Sequence, residues 1–140
     1  MFNVDKVDVA IIGAGVIGLS VAWKIASKAN KSVVVLERNK TYGQETSSRN
    51  SEVIHSGIYY DAQMLKSRFC VEGNSLLYEF CQQRGVTHHR CGKIVISVDR
   101  DGDEKLDSLY KSAVQNGVSV RRMSGTEAMN LEPEIFARGA

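Results

Sequence analysis

A single proline, Pro133, in 140 residues leaves the chain without a proline-rich linker or polyproline tract. Cysteine is nearly as sparse. Cys70, Cys81 and Cys91 are odd in number and lack CxxC spacing, so neither a disulfide framework nor a zinc site is expected. Cys70 and Cys81 stand about three helical turns apart and are expected on one buried face, as the reduced thiols of a reducing compartment. An excess of one charge is missing too: 18 basic and 16 acidic residues leave a net charge of +2. That gives no footprint for nucleic acid or for an anionic membrane surface. No apolar run is long enough to cross a bilayer. The first strand pattern begins within a few residues of Met1, so no leader segment is expected ahead of it. What remains is ordinary: 43% hydrophobic and 24% charged residues. A chain of this length is expected to bury about two-thirds of its unfolded surface around a core.

The segment Val7 to Gly18 carries the strongest pattern. An apolar run, Val7 to Ile12, precedes Gly13-Ala14-Gly15-Val16-Ile17-Gly18. Val16, Leu19, Ala22, Trp23 and Ala26 then recur at helical spacing. Asn30 is expected to end that helix in the left-handed conformation. Ser32 to Leu36 reads as a second strand, and Glu37 follows it, about twenty residues past Gly18. Each part answers one demand of an ADP-containing cofactor. Gly13 permits the tight turn, Gly15 lets the backbone approach a pyrophosphate, and Gly18 lets helix and strand lie close. The helix start at Val16 offers free N–H groups and partial positive charge to phosphates. A carboxylate at Glu37 can accept ribose hydroxyls. The alternative is a βαβ unit with an ordinary glycine turn and no ligand.

Further on, a polar stretch from Arg38 to Ser48 leads into a short helix that Thr46, Ser47 or Ser48 could cap. Met64 to Arg84 reads as a long helix with an apolar stripe of Leu65, Phe69, Leu76, Leu77 and Phe80, ended by Gly85. Cys91 to Val98 and Val118 to Met123 read as strands around an amphipathic helix, Asp101 to Asn116, that Gly117 ends. Ser124 and Glu127 have capping-box spacing for a last helix. The organisation changes near residue 85, where strand–helix–strand restarts without a glycine fingerprint. Residues 1–84 are therefore expected to be the N-terminal part of a nucleotide-binding domain, and 85–140 the start of a second domain. Two parallel strands make a poor sheet alone, so the sequence looks like the front portion of a larger protein.

Between the two lies Gly43 to Tyr60, where Ser47, Ser48 and Asn50 supply hydrogen-bond donors and Gly57 supplies open backbone. A serine-capped surface helix is the plain alternative. At Asn50-Ser51-Glu52-Val53-Ile54-His55-Ser56-Gly57-Ile58-Tyr59-Tyr60 the chain resembles the FAD-dependent oxidoreductases of the D-amino-acid-oxidase type. Within that group it is most similar to L-2-hydroxyglutarate dehydrogenases and oxidases. Leu65-Lys66 to Cys70-Val71, Leu77 to Cys81, Cys91 to Ile94 and Gln115 to Val118 carry the same resemblance.

The resemblance implies an α/β fold: a Rossmann-like FAD-binding βαβ unit plus the beginning of an α+β substrate domain. It implies oxidation of a 2-hydroxy acid to a 2-oxo acid by hydride transfer to FAD, with electrons passing to a quinone, another acceptor or oxygen. Glu37 with Arg38 would meet the adenosine ribose, Thr46 and Ser47 the phosphates, and Asn50 and Ser51 the flavin side. His55 has two readings, a base on the substrate hydroxyl or a residue that orients its loop and hydrogen-bonds the flavin. The second is favoured, because hydride transfer draws its chemistry from the cofactor. His88 and His89 lack companion ligands and are read as exposed or second-domain residues, not metal ligands. Arg121 and Arg122 are read as a solvated pair, since adjacent strand residues face opposite ways. A cytoplasmic location is expected, with peripheral contact to the inner membrane left open. Glycerol-3-phosphate or an amino acid as substrate, or a nucleotide-binding module without catalysis, remain the alternatives.

Overall fold

The computed structural model describes residues 6–140, which divide into two compact units meeting between Val53 and Ile54. In the first unit, β1 (Val9–Ile12) and β2 (Val33–Leu36) pair in parallel, with Val9 opposite Val33 and Ile12 opposite Leu36. Helix α1 (Val16–Lys28) crosses between them and packs on both. The register is clipped at its start. Asp8 Oδ2 accepts the main-chain N–H of Ser32 at 2.8 Å, and Ser32 Oγ accepts the N–H of Asp8 at 3.0 Å. At the other end the Gly13 N–H donates to the Leu36 carbonyl at 2.7 Å.

The expectation for Asn30 fails. Helix α1 ends because Ala29 turns extended, at φ −113° and ψ 131°, and Asn30 stays out of the left-handed region. Thr46, Ser47 and Ser48 do not cap a helix either; they are themselves a 3-10 turn.

In the second unit, α2 (Leu65–Arg84) ends as expected at Gly85, which is left-handed at φ 66°. The N–H of the following Val86 closes the turn on the Cys81 carbonyl at 2.9 Å. Helix α3 (Arg100–Gln115) is capped by Asp99, whose side chain accepts the Gly102 N–H at 2.7 Å. The short α4 (Gly125–Leu131) carries the full capping box between Ser124 and Glu127. Cys81 is buried and Cys70 half-buried, so that pair shares a face only in part.

Two larger expectations are overturned. Cys91 to Val98 and Val118 to Met123 form no strand ladder with each other. Residues 138–140 come between them, and the pairing reduces to antiparallel bridges of Gly139 with Ser97 and with Ser124. The well-filled core also fails. Among the described residues the buried apolar ones are Ala14, Cys81, Ala113, Ala128 and Ala137. The apolar stripe of α2 is exposed, with Leu65 66% and Phe69 59% accessible. The periodicity correctly identifies a face that wants cover; among the described residues of the second unit no other helix or strand packs over it.

Candidate functional site

Three glycines between β1 and α1 do three different jobs. Gly13 sits at φ +98°, where a side chain would be strained although space is open. Gly15 is the residue before α1, and a Cβ on it would stand 3.1 Å from Ser47 Oγ. Gly18 lies against the turn itself: a Cβ there would fall 2.0 Å from the Gly13 carbonyl oxygen. Close approach of helix to strand thus depends on Gly18, and the turn on Gly13.

The acid after β2 closes the site. Glu37 Oε2 accepts the Ala14 N–H at 2.7 Å, and Oε1 accepts the Asn39 N–H at 2.9 Å. These two amide bonds, that of Asn39 first, hold its carboxyl below the ordinary carboxylate range. A carboxylate has about four lone-pair positions, so two remain for hydroxyl donors. Across the turn, Ser47 Oγ accepts the Val16 N–H at 2.8 Å at the positive end of α1. That leaves its own proton free to donate. Gly43 donates its N–H to the Ala14 carbonyl at 2.9 Å and ties the connecting loop down. Glu45 accepts from Asn39 Nδ2 at 3.1 Å and Arg38 Nη2 at 2.9 Å, and these bonds, that of Asn39 first, hold its carboxyl below the ordinary carboxylate range as well. Glu37, Arg38, Gly43, Glu45 and Ser47 line a crevice of about 420 Å³ with Gly13 and Gly15, and Ile12, Leu36, Gln44 and Thr46 complete its wall.

Gly13, Gly15, Glu37, Arg38, Thr46 and Ser47 therefore come together, with Val16 bonded to Ser47 and Gly18 supporting from behind. Ser48, Asn50 and Ser51 do not line the crevice. The Ser48 hydroxyl donates back to the Glu45 carbonyl at 2.8 Å. Asn50 binds the Ser47 carbonyl at 2.8 Å and the Glu52 N–H at 2.7 Å, bracing the turn. Asn39, Gly43 and Glu45 were not singled out in the sequence. Only the Gly43 position carries a legible signal, a glycine in a polar loop, here at φ +68°.

His55 belongs to the second unit and is exposed; its carbonyl accepts from Asn74 Nδ2 at 3.3 Å. The turn after it is tightly built. Gly57 is buried at φ +89°, a conformation that strains a side chain, and Val71, Ser67 and Cys70 crowd the position a Cβ would take. Asn116 Nδ2 donates to the carbonyls of Gly57 and Tyr60, at 3.2 and 2.7 Å. Arg121 and Arg122 are both exposed and both line a groove in this unit, Arg122 paired to Asp107 at 2.7 Å and Arg121 to Glu127 at 3.5 Å.

No described helix is long and apolar enough to cross a membrane. The chain is 42% identical over 132 residues to the mitochondrial L-2-hydroxyglutarate dehydrogenase of Arabidopsis thaliana, covering 94% of this chain and 27% of that protein. It is 38% identical over 138 residues to the Homo sapiens enzyme of the same name, covering 98% and 30%. The chain thus spans less than a third of the length of these relatives. Among solved structures, a dithionite-reduced L-alpha-glycerophosphate oxidase from Mycoplasma pneumoniae with FAD bound superposes with a TM-score of 0.80. It is 26% identical, and the match covers 97% of this chain and 37% of that one. The family described as FAD dependent oxidoreductase matches residues 8–140, and the chain belongs to that family.

Proposed function

We propose that this chain supplies the ADP-binding part of an FAD-dependent enzyme that oxidises L-2-hydroxyglutarate to 2-oxoglutarate. The observation that carries the cofactor reading is the bracket formed by Ala14–Glu37 and Val16–Ser47 around a glycine turn whose backbone Gly13 shapes and whose close helix approach Gly18 permits. In that bracket Glu37 receives ribose hydroxyls beside Arg38, while Gly15 keeps the approach open. Thr46 and Ser47 serve the phosphates, Ser47 donating the proton that the Val16 amide leaves free, while Ser48 braces the turn from behind. Asn50 and Ser51 serve the flavin side.

When bound, FAD supplies a hydride acceptor in its flavin ring. His55 is assigned to the catalytic neighbourhood in an orienting role. In the full protein, residues 1–84 belong to the cofactor domain and 85–140 open the substrate domain. The acceptor is a quinone, another electron carrier or oxygen, and the location is the cytoplasm or the inner-membrane surface, although the named relatives are mitochondrial.

The substrate reading is supported by the names of the relatives at 42% and 38% identity. Glycerol-3-phosphate is the second reading, favoured by the name of the structural neighbour. Titration with FAD tests the cofactor assignment: quenched flavin fluorescence is expected, and thermal stabilisation by NAD without any FAD response would refute it. Anaerobic bleaching of the flavin in the longer protein by L-2-hydroxyglutarate, set against glycerol-3-phosphate, decides the substrate.

A further inference from the structure

Residues 54–60 form a turn with little main-chain support of its own. Tyr60 donates its N–H to the Gly57 carbonyl at 3.3 Å, and no main-chain group of the turn bonds to the main chain of another described segment. Two side-chain amides hold it instead. Asn74 Nδ2 donates to the His55 carbonyl at 3.3 Å and reaches the Ile54 carbonyl at 3.5 Å. Asn116 Nδ2 donates to the carbonyls of Gly57 and Tyr60 at 3.2 and 2.7 Å. An amide nitrogen carries two protons, so each asparagine serves a pair of carbonyls, one pair toward either end of the turn.

Both amides hang from firm supports. Asn74 lies in the middle of α2, on the face whose Ser67, Cys70 and Val71 pack against Gly57. Ser67 is buried there, whereas the Leu65, Phe69 and Leu76 stripe of the same helix is exposed. Asn116 ends α3 just before Gly117, which is left-handed at φ +76°. The Val118 N–H closes that end on the carbonyl of the fully buried Ala113, at 2.9 Å. The His55 ring, by contrast, is exposed and makes no hydrogen bond to a described residue. Its main chain is gripped while its side chain is left free to act.

We infer that Asn74 and Asn116 are positioning residues for His55: they clamp the turn from two helices and so aim its imidazole. The inference rests on the reading that puts His55 beside the flavin, and deepens it by naming what directs the ring. Water can replace a hydrogen bond to a partly exposed turn, so the Asn74 bonds add little to stability. Their loss lets the turn wander, and a misplacement of about 1 Å can cost on the order of a hundredfold in rate.

The test is a double-mutant cycle in the FAD-loaded longer protein, read by anaerobic rapid-mixing reduction of the flavin. L-2-hydroxyglutarate is the reductant, with glycerol-3-phosphate as the alternative. Asn74→Ala and Asn116→Ala should each slow the limiting reduction rate by about tenfold, with FAD content unchanged. Made on top of His55→Ala, the same substitutions should change that rate by less than about twofold, because they act through the missing ring. Their effect on the denaturant midpoint should be equal in both backgrounds. Should Asn116→Ala fail to fold, the Asn74→Ala cycle decides alone. Equal slowing in both backgrounds, or asparagine variants as fast as the parent beside a slow His55→Ala, overturns the inference and spares the reading of His55. Reduction by neither compound, or an unimpaired His55→Ala, defeats that reading and the inference with it.

Discussion

The main-chain N–H of Ala14 points at Oε2 of Glu37, 2.7 Å away, so the acid after β2 is locked across the glycine turn before any ligand arrives. A preset carboxylate need not be ordered on binding, which lowers the entropic cost of gripping a sugar. Glu37→Gln presents an amide N–H₂ toward one of the two N–H donors. It should weaken ADP binding roughly tenfold or more, read by calorimetric titration, with the helix content unchanged.

Acid should loosen the same device. Asp8, Glu37, Glu45, Asp103 and Glu127 all titrate below the ordinary carboxylate range in the folded state, each chiefly through a hydrogen bond to a neighbour. Groups with lowered values contribute stability that is complete above the unfolded value and is lost as pH falls through the folded one. Stability is therefore expected to be level above about pH 5 and to decline below about pH 4. Denaturant midpoints measured across that range check it; a decline beginning near neutrality would contradict it.

Gly15 and Gly18 should fail differently. Gly18→Ala forces a methyl against the Gly13 carbonyl, so it should cost about 1–3 kcal/mol of stability and weaken ADP binding as a consequence. Gly15→Val meets only the Ser47 hydroxyl at the mouth of the crevice. It should leave the melting temperature nearly unchanged and abolish ADP binding. Thermal melts and titrations on both variants separate the two outcomes.

Glu52 is the one described non-glycine residue with positive φ, at 57°. The left-handed region costs a side-chain-bearing residue roughly 1–2 kcal/mol, and glycine returns part of that as unfolded-state entropy. Glu52→Gly should raise stability slightly, by under about 1 kcal/mol, while Glu52→Val should lower it by more than that. Chemical denaturation of the two variants gives the comparison.

Asn116 spans from the end of α3 to the turn at Gly57, and its Oδ1 is buried without a partner among the described residues. Asn116→Ala should cost about 1–3 kcal/mol, because the Gly57 and Tyr60 carbonyls lose their donor. Asn116→Asp should cost more, since it sets a carboxylate against two carbonyl oxygens. Denaturation at neutral pH tests the order.

Much of this was legible in the residues, for identifiable reasons. The glycine turn, β1, β2 and Glu37 could be read because each position answers a single local constraint. Helices α2 and α3 and the Ser124–Glu127 cap followed from periodicity and capping chemistry. The misreadings share another cause. Alternation in Ile94, Ile96 and Val98 reports a preference for a sheet but cannot say which strand lies alongside. Likewise the stripe of Leu65, Phe69 and Leu76 reports a demand for cover, not its presence. Asn39 was invisible because its contribution is a main-chain N–H, which any residue but proline would provide.

The crevice is closed by bonds of modest reach: Ala14 to Glu37 spans 23 residues and Val16 to Ser47 spans 31. Closing loops of that size costs little more than closing shorter ones, because the entropy grows only with the logarithm of length. Local topologies of this kind assemble quickly. On the proposed cofactor reading, the residues assigned to the adenosine ribose and the phosphates all leave the ribosome by residue 47, so nucleotide bound at that stage would bias later folding toward the native arrangement.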